Sequence, residues 1–183
     1  MHRSGIVVIL LLVVPAIADA QTRTTPAACA ALTSLQLPGI ALTIAKSEWI
    51  PAGTPPRAAQ PGAPPPAPIT LPAYCRLDGT IDRRTGAGGT TYGIGFALAL
   101  PETWNGRFLF QGGGGLNGSV QLPLGAAAAG GNPGLSRGFA VVSTDTGHQG
   151  RGGFDASFLQ DQQANLDFAY QAVGRVADVA KRI

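Results

Sequence analysis

The 183-residue sequence predicts an α/β fold built on an open sheet, and three observations carry that expectation. "CRLDGTID" and "TTYGIGFALALP" alternate apolar and polar residues with period two, the pattern of paired strands with one covered face. "GFAVVSTDTG", Gly138 to Gly147, holds an unbroken apolar run from Phe139 to Val142 that stops in polar turn residues, as in strands covered on both faces. Asp161 to Ile183 carries Leu166, Ala169, Val173, Val176, Ala180 and Ile183 at 3-4-3-4-3 spacing, a single apolar stripe along a helix. Strands followed by a long amphipathic helix make the opening part of a sheet with helices on its faces.

The N-terminus is set apart from that sheet. His2 and Arg3 form a short basic start, Ile6 to Val14 is wholly apolar, and Ala18-Asp19-Ala20 provides small residues in a cleavage pattern. This predicts a signal peptide over residues 1–20 and a secreted or periplasmic product. The apolar run is shorter than the about 20 residues a bilayer crossing needs, so no membrane association is expected after cleavage. The formal net charge is +3, charged residues are 13% of the chain and Lys and Arg never cluster, which leaves no basic stripe for nucleic acid.

Residues 21–80 read as an irregular, proline-rich segment, relieved by a short strand from Ile40 to Ile44 running towards Trp49. "GTPPRAAQPGAPPPAPITLPAYC" holds too much proline for helix or central sheet and reads as an exposed, extended spacer. Cys29 and Cys75 lie on the exported side of the cleavage point. In an oxidising compartment the expected state is a disulfide closing a loop of about 47 residues, worth roughly 4 kcal/mol in the loop-entropy model. The alternative is two free thiols; with no histidine near either cysteine, a metal site is not expected.

The sheet proper is expected over residues 81–183. Ile94, Phe96, Leu98 and Leu100 fall on one face of its first long strand, "RFLFQ" is a compact buried strand ending at four glycines, and the 138–147 strand comes next. Asp161 or Ser157 can cap the closing helix. Its stripe needs a sheet to cover, and such a helix is expected to lead into a further parallel strand beyond Ile183.

The glycine run in "WNGRFLFQGGGGLNGSV" admits three chemistries. A phosphate loop needs G-x-x-x-x-G-K-[ST], and no lysine follows. Gly113, Gly115 and Gly118 match G-x-G-x-x-G, but Pro123 and Pro133 stand where a helix should begin and no acidic residue lies about 20 positions on to hold a ribose. An oxyanion hole fits better, because glycines let backbone amides approach a developing alkoxide without a Cβ, and α/β-hydrolases place such a loop after an early strand, upstream of the nucleophile. A slack loop with no chemical role competes evenly with it on residue type and spacing.

"LPETWNGRFLFQGGGGLNGSV", "SRGFAVVSTDTGHQG" and "FLQDQQANLDFAYQAVGRVADVAKRI", with "LPAYCRLDGTI" before them, resemble successive blocks of the tannase/feruloyl esterase family over roughly residues 29–183. The resemblance implies the N-terminal part of an α/β-hydrolase fold, with an incomplete central sheet and a long C-terminal helix. It further implies a secreted serine esterase acting through an acyl-enzyme on small-molecule aromatic esters of feruloyl or tannin type. Oxyanion donors are then expected at Gly113, Gly114 and Gly115, with Gly114 and Gly115 in closest approach. The family's G-C-S-x-G-G elbow is absent from these residues, so the nucleophile, Asp and His are expected beyond Ile183 and the chain is expected to be inactive alone. A calcium ion belongs to the family's lid, also expected beyond Ile183; no cofactor or metal is expected within the chain. The competing expectation is an exported non-catalytic module, or a pseudogene product, with the oligomeric state open.

Within the chain, Ser119, Ser136, Ser143 and Ser157 all lack the G-x-S-x-G context that presents a nucleophile. Ser119, Asp145 and His148 match a triad in type. In the family, however, this block precedes the nucleophile, so a structural or pocket-lining role is expected for Asp145 and His148. The spacing of Asp145, Asp155 and Asp161 matches no EF-hand. Trp104 and Phe108 are expected to pack in the core or at a strand end.

Overall fold

A computed structural model describes residues 23–54, 69–125, 132–152 and 154–183. The signal peptide expected at residues 1–20, and residues 55–68 of the proline-rich stretch, lie outside the described residues.

The described strands form one sheet: β1 (Leu42–Ile50), β2 (Tyr74–Thr85), β3 (Thr91–Pro101), β4 (Phe108–Gln111) and β5 (Ala140–Thr144), in the order β1-β2-β3-β5-β4. β1, β2, β3 and β5 pair antiparallel, whereas β4 lies parallel to β5 with Phe108 opposite Ala140 and Gln111 opposite Ser143. At one β2–β3 pair Gly79 faces Phe96, and a Cβ on Gly79 would sit 2.6 Å from the ring, so glycine there makes room for the largest side chain of the core. Residue 80 falls inside β2 and β1 pairs with β2, so the sheet begins well before residue 81.

Both faces of the sheet are covered. Leu77, Ile81, Ile94, Phe96, Leu98 and Val142 point to one face, against Val176, Val179 and Ala180 of the C-terminal helix. Ala99 and Val141 point to the other, with Leu71, Tyr74 and Leu135. Neighbouring residues of a strand face opposite ways, so Val141 and Val142 each meet a packed layer, which explains the unbroken apolar run of β5. The short helix α1 (Pro26–Ala31), capped by Thr25 Oγ1 accepting the Ala28 amide at 3.1 Å, is joined to β2 by the Cys29–Cys75 disulfide, with Cα atoms 5.5 Å apart. The expected bridge is present.

Two expectations are corrected. The first concerns β4, expected to be a buried strand. It is an edge strand of the described sheet with all four residues half-buried, because a short apolar run does not distinguish an edge from a centre. The second concerns the helix, which runs as α2 (Gln162–Leu166), a π-helical turn (Asp167–Gln171) and α3 (Ala172–Arg182). Asp161 caps it, Oδ1 accepting the Ala164 amide at 2.8 Å. The π turn inserts one extra residue per turn, so Asp167 and Ala172, five apart, share the buried face. The stripe therefore changes register: Val176 and Ala180 are buried as expected, while Leu166 and Val173 are exposed.

Candidate functional site

Because β4 and β5 run parallel, the loops after Gln111 and after Thr144 leave the sheet at the same end, the end where open α/β sheets place ligands. The glycine loop and the "DTGHQG" loop meet there. Gly118 donates its amide to the Asp145 carbonyl at 3.1 Å, and Gly150 returns its own to the Gly118 carbonyl at 2.8 Å. Asn117 Nδ2 donates to the Thr144 carbonyl at 2.6 Å. Leu116 packs into a cluster with Tyr92, Phe158, Ala164 and Phe168 beneath the loop.

Between the two loops is an open cavity of about 300 Å³ lined by Gly113, Gly114, Asn117, Ser119, Gln121, Gly150 and Gly152. The glycines of the run have separate causes. Gly115 has φ +59°, a left-handed backbone that glycine adopts without strain. Gly113 lies against Asn117, whose side-chain oxygen occupies the space a Cβ would fill. Gly114 has neither constraint: its backbone is outside the left-handed region and a Cβ would meet nothing within 4 Å. Among the described residues, no protein acceptor takes the amide of Gly113, Gly114 or Gly115. Gly113 and Gly114 line the cavity, whereas Gly115 does not.

Asp145 is buried at the floor. Its Oδ1 accepts the amides of Gly95 and Gly147, both at 2.9 Å, and Oδ2 accepts Gln149 Nε2 at 2.7 Å. Burial pushes its carboxyl up to about 6, and the Gly147, Gln149 and Gly95 hydrogen bonds hold it from rising further. His148 is also buried. Its ring stacks on Phe158 with centroids 3.7 Å apart and meets Phe168 edge-on at 5.8 Å. Neither ring nitrogen has a hydrogen-bond partner of good geometry among the described residues. Burial lowers the His148 pKa against the opposing pull of the Leu116 backbone and the Asp155 charge, which keeps the imidazole neutral at pH 7.

Asp145 and His148 thus share a loop, but the histidine ring is stacked in an aromatic cluster and, among the described residues, hydrogen-bonds no serine. Ser119 reaches the cavity wall, where its Oγ accepts Gln121 Nε2 at 2.9 Å, and no base contacts it among the described residues. Ser143 donates to the Gln121 carbonyl at 2.5 Å and Ser136 to the Pro133 carbonyl at 2.7 Å, both as loop ties. Asp155 accepts the Arg151 and Ser157 amides and Asp161 pairs with Arg84, so these aspartates do not converge on Asp145. Among the described residues no group of three His, Cys, Asp or Glu side chains is placed to hold a metal ion. Trp104 is partly exposed, its Nε1 donating to the Arg107 carbonyl at 2.8 Å, and Phe108 is half-buried under Lys181.

Sequence reasoning missed two residues. Asn117 carries a positive φ of 39°, and the Asn-Gly pair at 117–118 is a local turn signal that could have found it. Arg84 joins Asp161 across 77 residues, its Nη1 donating to Oδ2 at 3.1 Å and Nη2 to Oδ1 at 2.5 Å, for which no local signal exists.

Comparison with known proteins bears on this geometry. Residues 78–183 match the family described as tannase and feruloyl esterase. The chain is 40% identical over 118 residues to the mono(2-hydroxyethyl) terephthalate hydrolase of Piscinibacter sakaiensis, covering 61% of this chain and 20% of that protein. It is 31% identical over 188 residues to a probable feruloyl esterase B of Aspergillus clavatus, covering 100% of this chain and 32% of that protein. The crystal structure of feruloyl esterase B from Aspergillus oryzae superposes with a TM-score of 0.61 at 29% identity, over 86% of this chain and 28% of that one. The strands and the C-terminal helix are accordingly those of an α/β-hydrolase. The chain spans at most about a third of the length of these relatives.

Proposed function

Because this chain belongs to the tannase and feruloyl esterase family, we propose that it forms the oxyanion-loop portion of a secreted serine esterase whose nucleophile, acid and base are supplied by polypeptide other than these 183 residues. The observation that carries this reading is Gly114: a glycine the described fold does not require, whose amide takes no acceptor among the described residues, on the wall of a cavity at the C-terminal ends of two parallel strands. An amide so placed can donate to an ester oxygen as it gains negative charge, and the missing Cβ lets that oxygen come close.

The reaction is acyl transfer. A serine hydroxyl adds to the ester carbonyl while a base takes its proton. The oxyanion collapses with cleavage of the alkoxy C–O bond, the alcohol leaves with a proton, and water hydrolyses the acyl-enzyme. No serine of the described site is paired with a base, which supports an origin for the nucleophile elsewhere. Esters of aromatic acids are the substrate class, supported by relatives named for terephthalate and feruloyl esters. Export is supported by the apolar N-terminal run and by the disulfide.

Two measurements test this. Residues 21–183 and the product of the complete reading frame are treated with a fluorophosphonate probe. Labelling of the complete product alone is expected, and stoichiometric labelling of residues 21–183 would overturn the assignment. In the complete product, Gly114→Ala is expected to lower kcat by at least about tenfold with an unchanged melting midpoint, since the added methyl enters open space in the free protein. Wild-type turnover in that variant would remove Gly114 from the oxyanion hole.

A further inference from the structure

We infer that Asn117 is the positioning residue of the glycine loop, and that Gly113 is glycine to accommodate Asn117 and not to accommodate substrate. The inference rests on the oxyanion reading of Gly114 and names the group that holds that amide in place.

Three observations converge on one side chain. Asn117 adopts φ +39°, a conformation asparagine tolerates better than other residues with a Cβ, so the loop reverses at this point. Its Nδ2 donates to the carbonyl of Thr144, the last residue of β5, at 2.6 Å. Its Oδ1 lies against Gly113 in the volume a Cβ would take, and the Asn117 amide donates to the Gly114 carbonyl at 3.1 Å. One residue therefore touches both glycines of the run that line the cavity, Gly113 and Gly114, and ties them to the most buried strand of the sheet. Without that tie, the exposed stretch 112–115 has no other side-chain restraint among the described residues; Leu116 and Gly118 fasten only the chain on its C-terminal side. An oxyanion donor must be held in place before charge develops, and a misplacement of about 1 Å costs on the order of 100-fold in rate.

The test is a double-mutant cycle in the product of the complete reading frame. Asn117→Gly keeps the backbone conformation and loses the tie, and is expected to lower kcat by about tenfold or more with KM changed less than about threefold. Asn117→Asp keeps size and conformation but has no donor for the Thr144 carbonyl, and is expected to fall as far. Gly113→Ala alone pushes the Asn117 side chain aside and lowers kcat; combined with Asn117→Gly it should cost little more than Asn117→Gly alone. Additive losses in the double variant would mean that Gly113 answers to substrate, and wild-type kcat in Asn117→Asp would mean the tie does not position the loop; either overturns the proposal. Wild-type kcat in Gly114→Ala fails the oxyanion reading itself. A loss there beside unaffected Asn117 variants fails only the positioning role.

Discussion

Asp145 shows how a single buried carboxyl organises the site from below. Its three donors come from β3, from the turn after β5 and from Gln149, so the loop that holds Gly118 and Gly150 is built around it. Burial dominates over these donors, and the pKa stands at about 6 against the ordinary 3.8. The native state then keeps a proton that the unfolded chain has released, so this group's contribution to stability falls as pH rises from about 4 to about 6, by about 3 kcal/mol. Asp145→Asn preserves the contacts, because Oδ1 still accepts both amides and the Gln149 amide can turn its oxygen to the new Nδ2. In urea melts at stepped pH, the stability of wild type minus that of Asp145→Asn should decline across that window. His148 works in the opposite sense: its lowered pKa makes stability fall as pH drops below about 6.5. It is common to both proteins and cancels in the difference, so a flat difference would contradict the desolvation of Asp145. Residue types made Asp145 and His148 visible in the sequence. Their separation, one holding a loop and the other stacked on Phe158, was not visible, because it depends on residues brought in by the closing helix.

At the scale of elements, the closing helix shows where periodicity succeeds and where it fails. Its existence, its extent and its Asp161 cap were legible, since a polar cap followed by apolar residues at helical spacing is a local pattern. The π turn was not, because nothing in Asp167–Gln171 distinguishes a widened turn from an ordinary one until Asp167 has to fit beneath Gly147, whose Cβ would lie 2.6 Å from the Asp167 Cβ. The register change is measurable. Val173→Ala should alter stability by less than about 0.5 kcal/mol, whereas Val176→Ala, at a fully buried position, should cost about 2 kcal/mol. Equal costs would restore the uninterrupted stripe. The start of the same helix is anchored by Asp161, which Arg84 and the amides of Ala164 and Ala87 hold well below the usual carboxylate range. That contribution is present above about pH 4 and is lost in stronger acid.

For the whole molecule, the alternation of β2 and β3 and the solid run of β5 were enough to indicate a sheet covered on both faces. The order β1-β2-β3-β5-β4 was not readable, since it depends on which strand β5 pairs with after a connection of nearly 30 residues. The disulfide was legible from compartment alone, and it fastens α1 to the second strand and so to the main core. Reduction should lower stability by about 2–4 kcal/mol in urea melts run with and without a thiol reductant; an unchanged midpoint would mean the N-terminal segment adds nothing to the cooperative unit.

The four glycines after β4 bear on how motifs are searched for. Four identical letters invite one explanation and one weight for each position. In this fold, position 113 records a neighbouring asparagine, position 115 a backbone angle, and positions 112 and 114 open space, of which only 114 borders the cavity and leaves room for something outside the chain. A pattern that scores the four alike therefore mixes three kinds of information, and only one of them concerns chemistry.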